Sequence, residues 1–409
     1  MLKLSTIILV LYELILFLYS LHIHLKNNFH HNIFTKVIDL PKNWDDFAVR
    51  NVFLSVNYLK VLEESAPINM QCFFIAIYED EKLMGIAIAQ FLDGNQMETF
   101  GNRDRCVKTF VRNFTFKNFS SQILFIGNNM LTGQNAFSFS SEANPVEALK
   151  ELKNASQQLK IILYEKGEKV HLTSFKDFTE NDLPLFEQVD FSNFYRFQIQ
   201  PNMVFYIKDS WHSIDDYVKD LTKKYRDQYK RSRKKAIDIE KRKLDLQEIL
   251  RFEEKIYDLY FHVAKNAPFN TFLLHENHFS SLKRNLNHDF LFYGYFLNGE
   301  LIGFNTLVKN GDTMDTYFLG YDEKMQREKM LYLNMLHDMI GYSIKKRFKK
   351  IIFGRTALEI KSSVGAQPEP MFGYIKHSNA LLQSQMPRIF NSLQPAVTWQ
   401  MRNPFKEDL

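Results

Sequence analysis

Four short blocks of this 409-residue chain occur twice, in the same order. Asn51-Val-Phe-Leu-Ser returns as Asn270-Thr-Phe-Leu-Leu at an offset of 219, and Lys82-Leu-Met-Gly as Glu300-Leu-Ile-Gly at 218. Phe125-Ile-Gly returns as Phe318-Leu-Gly at 193, and Lys160-Ile-Ile-Leu as Lys350-Ile-Ile-Phe at 190. The offset only falls, as it does when the first copy carries an insertion near Phe91–Ser121. No block is distinctive alone, but the ordered set predicts an internal duplication. The chain is long enough for each copy to bury its own core.

The repeated unit reads most clearly in the second copy. Leu291–Phe296 is a strand, Asn298-Gly299 a two-residue hairpin turn, and Leu301–Val308 the returning strand. Asn310-Gly311-Asp312 turns the chain again into a third strand, Thr313–Gly320. Leu331–Ile344 is a helix apolar on most sides, and Ile351–Phe353 a last short strand. In the first copy, Pro41–Ser65 reads as helical pieces. Cys72–Tyr78 and Leu83–Phe91 form a hairpin, and Ile123–Gly127 is a strand followed by the loop Asn128–Gly133. Pro145–Leu159 is an amphipathic helix, with Lys160–Tyr164 as a closing strand. Helix, antiparallel meander, helix and strand make a mixed α/β (α+β) layer. The expected division is 1–32, an apolar segment; 33–202, the first domain; and 203–409, the second, opening with strand Met203–Ile207 and a basic helix, 219–243.

Within Ser5–Leu25, only Glu13 is charged, and the stretch is just long enough to cross a bilayer. Lys26, Lys36, Lys42 and Arg50 come after it, against Lys3 before it, a bias that keeps the downstream chain cytoplasmic. A membrane anchor and an apolar helix packed on the domain both fit. Cys72 and Cys106 are too few for a disulfide framework and suit a reducing compartment. His22, His24, His30 and His31 cluster without a Cys or carboxylate beside them, so no metal site is expected. Lys219–Lys243 carries twelve Lys/Arg against four Asp/Glu, while the whole chain has a net charge of only +5. The basic character is therefore local. It fits a solvated helix face or a surface for phosphates, with Lys230, Arg231, Lys234 and Lys235 at its centre.

The stretch richest in chemistry closes the second copy, Lys349–His377. Its apolar run breaks at Gly354, and Arg355, Thr356, Glu359 and Lys361 come next at close spacing. A strand that delivers polar groups beyond its carboxyl end is how open α/β sheets build sites. If the backbone is extended there, Glu359 and Lys361 point the same way. Gly365, Pro368 and Pro370 stiffen the remainder. Asp315 and Tyr317 share one face of the third strand, and Tyr321 lies near its end.

Gly354, Glu359-Ile-Lys361, Gly365, Pro370 and His377 together resemble the closing motif of the Fem-like branch of the GNAT acyltransferase superfamily, including the peptidoglycan biosynthesis/recognition proteins. The basic Leu221-Thr-Lys-Lys-Tyr-Arg run resembles the helix that opens the second domain in that branch. The resemblance implies two tandem GNAT-like domains that pass an acyl or aminoacyl group from an activated donor to an amine. It implies Lys361, Glu359, Asp315 and Tyr317 as catalytic candidates, the amine needing a base to remove its proton and the oxyanion a donor. Gly354, Arg355, Thr356, Tyr321, Gly365 and His377 are the corresponding substrate-binding candidates. GNAT enzymes hold the coenzyme A pyrophosphate on a glycine-rich loop at a helix N-terminus. Here that place reads Gln326-Arg-Glu-Lys-Met-Leu, without glycine. Acyl-CoA, an acyl-carrier protein and aminoacyl-tRNA therefore all stand as donors. The acceptor is a small or lipid-linked amine, such as a cell-envelope precursor in a bacterium. Two rival readings are a non-catalytic recognition module on the same fold and a basic membrane-associated scaffold.

Overall fold

The computed structural model describes residues 29–96, 121–266, 270–393 and 399–406. The strands are β1 (Phe29–Phe34), β2 (Met70–Glu79), β3 (Lys82–Asp93), β4 (Gln122–Ile126), β5 (Phe137–Phe139), β6 (Leu172–Phe178) and β7 (Tyr195–Tyr206) in the first part of the chain. The second part holds β8 (Glu240–Leu244), β9 (Phe290–Leu297), β10 (Glu300–Asn310), β11 (Thr313–Tyr321), β12 (Lys350–Gly354) and β13 (Gln367–His377). All belong to one mixed sheet, in the order β1-β2-β3-β4-β6-β13-β7-β12-β11-β10-β9-β8, with β5 added on β3.

That order is a palindrome. Inward from either edge, β1 answers β8, the hairpin β2–β3 answers β9–β10, and β4 answers β11. β4 pairs parallel with β6 as β11 pairs parallel with β12. At the centre the lobes trade strands. β13, the last strand of the second copy, lies against β6 of the first. β7, the last of the first copy, lies against β12 of the second, and β7 and β13 pair with each other. The duplicated, mixed α/β architecture expected from the repeat is therefore present. The expected limits 32/33 and 202/203 both fall inside strands, β1 and β7.

One sheet face carries a large core running through both lobes, with helix Val56–Ser65 packed against helix His278–Leu286, and a small cluster of Leu172, Ile375 and Met386. The other face has two cores, one under helix Pro145–Glu165 and one under helix Leu331–Lys345. The Asn144 carboxamide caps the first of these helices by accepting from the Val146 and Glu147 amides, and Pro145 opens it.

Lys160–Tyr164 is not a strand but the last turns of that helix. Leu152, Leu159 and Leu163 are buried while Ile161 is exposed, a helical spacing that continues without a break. The strand matching β12 is β6, so the fourth sequence block pairs a helix end with a strand. The basic stretch is also not one helix. It divides into helix Ile214–Asp220, helix Lys223–Lys235 and edge strand β8, whose Lys241, Arg242 and Lys243 are the kind of charges that guard a sheet edge. Ser5–Leu25, Cys106 and most of the expected insertion lie outside the described residues. Among the described residues no helix is long and apolar enough to cross a membrane.

Candidate functional site

β11 and β12 are paired only from Thr313 to Asp315. Beyond Asp315 the two strands part, and the rest of β11 is held by β10 alone. A cleft of about 180 Å³ lies over the paired stretch that leads up to this fork, on the face shared by both lobes. Lobe one supplies Thr132–Asn135, Thr179 and Asn202, while lobe two supplies Asn310, Thr313, Asp315, Lys350, Glu369 and Met371.

Asp315 is its chemical centre. Only 7% of the residue is exposed, and its Oδ2 has no partner. Burial pushes its carboxyl up to about 7, with a hydrogen bond from Asn310 and the nearby Lys350 charge pulling more weakly the other way. Asn310 in turn accepts from the Val52 amide through Oδ1 at 2.9 Å, tying the first copy to this turn. Asn202, 3% exposed, also has an unpartnered Oδ1. Glu369 opposes Asn202 across β7–β13 and accepts the Tyr206 hydroxyl.

Tyr317, the other β11 candidate, lies in a buried chain of polar groups. Its hydroxyl is 3.0 Å from His278 Nε2, and His278 Nδ1 is 2.9 Å from Ser65 Oγ. On the other side Tyr317 bonds Tyr58, whose hydroxyl accepts from Asn128 Nδ2 at 3.0 Å. Burial holds His278 down at about 4, so the ring is neutral, and lifts the Tyr317 phenol far above its ordinary value. The chain joins helix Val56–Ser65, helix His278–Leu286 and the loop that floors the cleft.

Glu359 and Lys361 do not point the same way, because Leu358–Ser363 is a helix, and two residues along a helix are about 200° apart. Glu359 is exposed and pairs with Arg402, whose Nε lies 3.0 Å away. Lys361 is 3% exposed, and its ammonium donates to the Phe353 carbonyl at 2.5 Å and the Gly354 carbonyl at 3.3 Å. Burial brings it down to about 7. It ties off the end of β12, and neither residue bonds Asp315 or Tyr317. Arg355 crosses to lobe one and pairs with Asp177, and Thr356 is exposed.

Gly354, at φ +79°, faces Thr132 of the cleft loop. Gly365 has φ +103°, and a Cβ there would come within 2.4 Å of the Phe405 ring, so its role is packing. Tyr321 lies six residues beyond Asp315, about 20 Å along the strand, beside Tyr332. His377 is eight residues from Glu369 along β13, about 26 Å. There its Nδ1 accepts the Asn379 amide at 2.8 Å. Of these candidates Asp315 lines the cleft, Gly354 lies behind its Thr132 wall, and the others stand apart. Asn202, Lys350 and Glu369 carry no signal in the sequence, because strand exchange brings them in from distant parts of the chain. Only Asn310 and Thr132 stand in turns visible as such.

Where a pyrophosphate loop would sit, helix Glu323–Lys329 runs up to helix Leu331–Lys345. Asn334 Nδ2 occupies the junction, donating to the carbonyls of Ser232, Lys329 and Met330. The basic helix packs here, and its Lys230, Arg231, Lys234 and Lys235 are all exposed, without a carboxylate partner among the described residues.

Residues 223–362 match the family described as acetyltransferase (GNAT) domain. The crystal structure of FemX is similar over 87% of this chain and 99% of its own, at 10% identity and a TM-score of 0.52. A tandem GNAT protein from the clavulanic acid biosynthesis pathway covers 86% of this chain and 99% of its own, at 7% identity and a TM-score of 0.48. L-PGS from Bacillus licheniformis covers 82% and 95%, at 12% identity and 0.46. No curated protein matches the chain.

Proposed function

We propose, for a chain that belongs to the GNAT superfamily and folds as its Fem-like members do, that it transfers an acyl or aminoacyl group to an amine in the cleft at Asp315. The observation that carries this reading is a buried carboxyl with one unpartnered oxygen, at the fork between the two parallel strands. A carboxyl near 7 is matched to taking a proton from an ammonium at neutral pH. The neutral amine attacks the donor carbonyl, and Asp315 accepts the proton the nitrogen loses. The first proton, from the ammonium, passes through Asp315 to solvent; the second, lost by the nitrogen after attack, is handed on by Asp315 to the thiolate or ribose oxygen that the tetrahedral intermediate expels. Lys361 and Gly354 shape the end of β12 rather than touch the reacting atoms.

The second lobe is the catalytic one. In the parallel pairing Asp315 opposes Ile352, and at the offset of 193 that aligns Phe125-Ile-Gly with Phe318-Leu-Gly its counterpart in the first lobe is Gln122, an amide that cannot act as a base. Helix Glu323–Lys329 and Asn334 fill the junction a coenzyme A pyrophosphate would need. The exposed Lys230, Arg231, Lys234 and Lys235 of the basic helix beside it favour a donor on a larger polyanion, aminoacyl-tRNA or an acyl-carrier protein. An envelope amine as acceptor and a place at the inner membrane face are part of this proposal.

The test is incubation of the purified chain with radiolabelled acyl-CoA, acyl-carrier protein and aminoacyl-tRNA, each with a mixture of amines. Label should pass to amine from one of the last two. Absence of transfer from all three would leave a recognition module.

A further inference from the structure

We propose that the cleft takes its acceptor as a small zwitterion, with the ammonium on Asp315 and Asn202 and the anionic group on Lys350. The proposal rests on the acyl-transfer reading and narrows its acceptor. Asp315 Oδ2 and Asn202 Oδ1 are both buried, both without partners, and both on residues that line this cleft. Buried acceptors left unpaired cost about 1–3 kcal/mol each, so a pair of them in one cavity calls for a ligand rich in donors. An ammonium brings three, a hydroxyl one.

The cleft also holds a cation that its own walls leave unpaired. Lys350 lines it, and no carboxylate lies within ion-pair distance of Lys350 among the described residues. Glu369, the other carboxylate of the lining, accepts the Tyr206 hydroxyl through one oxygen and makes no ion pair with Lys350. Lys350 stands opposite Thr313 in the β11–β12 pairing, two residues before Asp315. Their Cα atoms are therefore about 8 Å apart on one face. A ligand whose amine and anionic oxygen are a few bonds apart reaches from one group to the other. The rest of the lining is uncharged, mostly amide and hydroxyl from residues such as Thr132, Asn135 and Thr179, with Ile352 and Met371 as its apolar part. It suits the neutral polar part of such a molecule.

The anionic half is a carboxylate or a phosphate ester, and the same experiment separates them. Titration calorimetry on the full chain, without any acyl donor, compares glycine, O-phosphoethanolamine, ethanolamine and acetate. At least one of the two zwitterions should bind tenfold or more tightly than ethanolamine. Lys350→Gln should bring it down to the ethanolamine level, and Asp315→Asn should abolish binding. Lys350→Met replaces Lys350→Gln if the latter fails to fold. Equal binding of ethanolamine, no binding of any probe, or zwitterion binding unchanged in the folded Lys350 variant overturns the proposal. Acyl transfer to plain amines as good as to zwitterions would also overturn it while leaving the acyl-transfer reading intact.

Discussion

Arg355 of the second lobe donates to the Asp177 carboxylate of the first, and Lys176 donates to the other carboxylate oxygen. Asp177 is fully buried and holds φ at +69°. Lys176 Nζ continues to the carbonyls of Asn128, at 3.0 Å, and Leu131, at 3.3 Å, in the loop that floors the cleft. One carboxylate thus fixes the lobes and the cleft floor together. Asp177→Asn leaves two cations facing one another without a counter-charge. Breaking a buried pair in this way costs about 3–5 kcal/mol. Urea denaturation should show a loss of that size for Asp177→Asn; a loss under about 1 kcal/mol would make the pair a bystander.

Asp315 should cost stability as pH rises. Its folded-state value, about 7, lies above the ordinary 3.8. The folded protein therefore holds the proton more tightly than the unfolded chain. Stability attributable to this group is full below about pH 4 and falls as pH climbs to 7, by up to about 4 kcal/mol. Asp315→Asn removes that slope, so the variant should match the parent at about pH 4.5 and exceed it at about pH 8 in denaturant midpoints. Its transfer rate should fall by about 10²–10⁴-fold. An active Asp315→Asn enzyme would move the base elsewhere.

Lys361 runs in the opposite sense. Burial lowers it from 10.5 to about 7, so its charge is a burden on the fold below pH 7 that is relieved as pH rises toward 10.5. Lys361→Met removes the charge and also the donors to Phe353 and Gly354. Relative to the parent, it should be more favourable at about pH 6 than at about pH 9 in the same unfolding assay. Lys361→Ala should lose about 2–4 kcal/mol, since it leaves a void and two carbonyls unsatisfied. A pH-independent difference for Lys361→Met would show the ammonium to be solvated.

The basic helix gives a test by salt. Replacing Lys230, Arg231, Lys234 and Lys235 with Gln should weaken binding to transfer RNA and reduce the slope of log K against log salt by roughly 3–4. The fold should be untouched, because all four side chains are exposed. Binding that keeps its slope would reduce the helix to a solvated face.

Much of the fold is legible because strands carry their period with them. The Asn298-Gly299 hairpin, the meander after it and helix Leu331–Lys345 all stand where hydrophobic spacing puts them. Lys160–Tyr164 misleads because a β-branched pair after an amphipathic helix has the composition of a strand, and only burial tells them apart. Asp315 can be picked out as a polar residue on an apolar strand. Lys361 is equally conspicuous, but its spacing from Glu359 points to the wrong role. A separation of two implies a shared direction only on extended backbone, and Ala357, at φ +52°, starts a helix there instead. Asn202, Lys350 and Glu369 have no local mark at all, since what makes them neighbours is the pairing of β7 with both β12 and β13.

That pairing has a consequence for how such a chain could be divided. Neither half contains the strand on the inner side of its own β6 or β12. Two separate copies of a one-lobe chain would build the same order of strands about a two-fold axis, each lending its last strand to the other, as swapped dimers do. The linker through Ile207–Ser213 is then a tether rather than a hinge. A gene split there should yield two fragments that fold only when mixed, and then as a single complex.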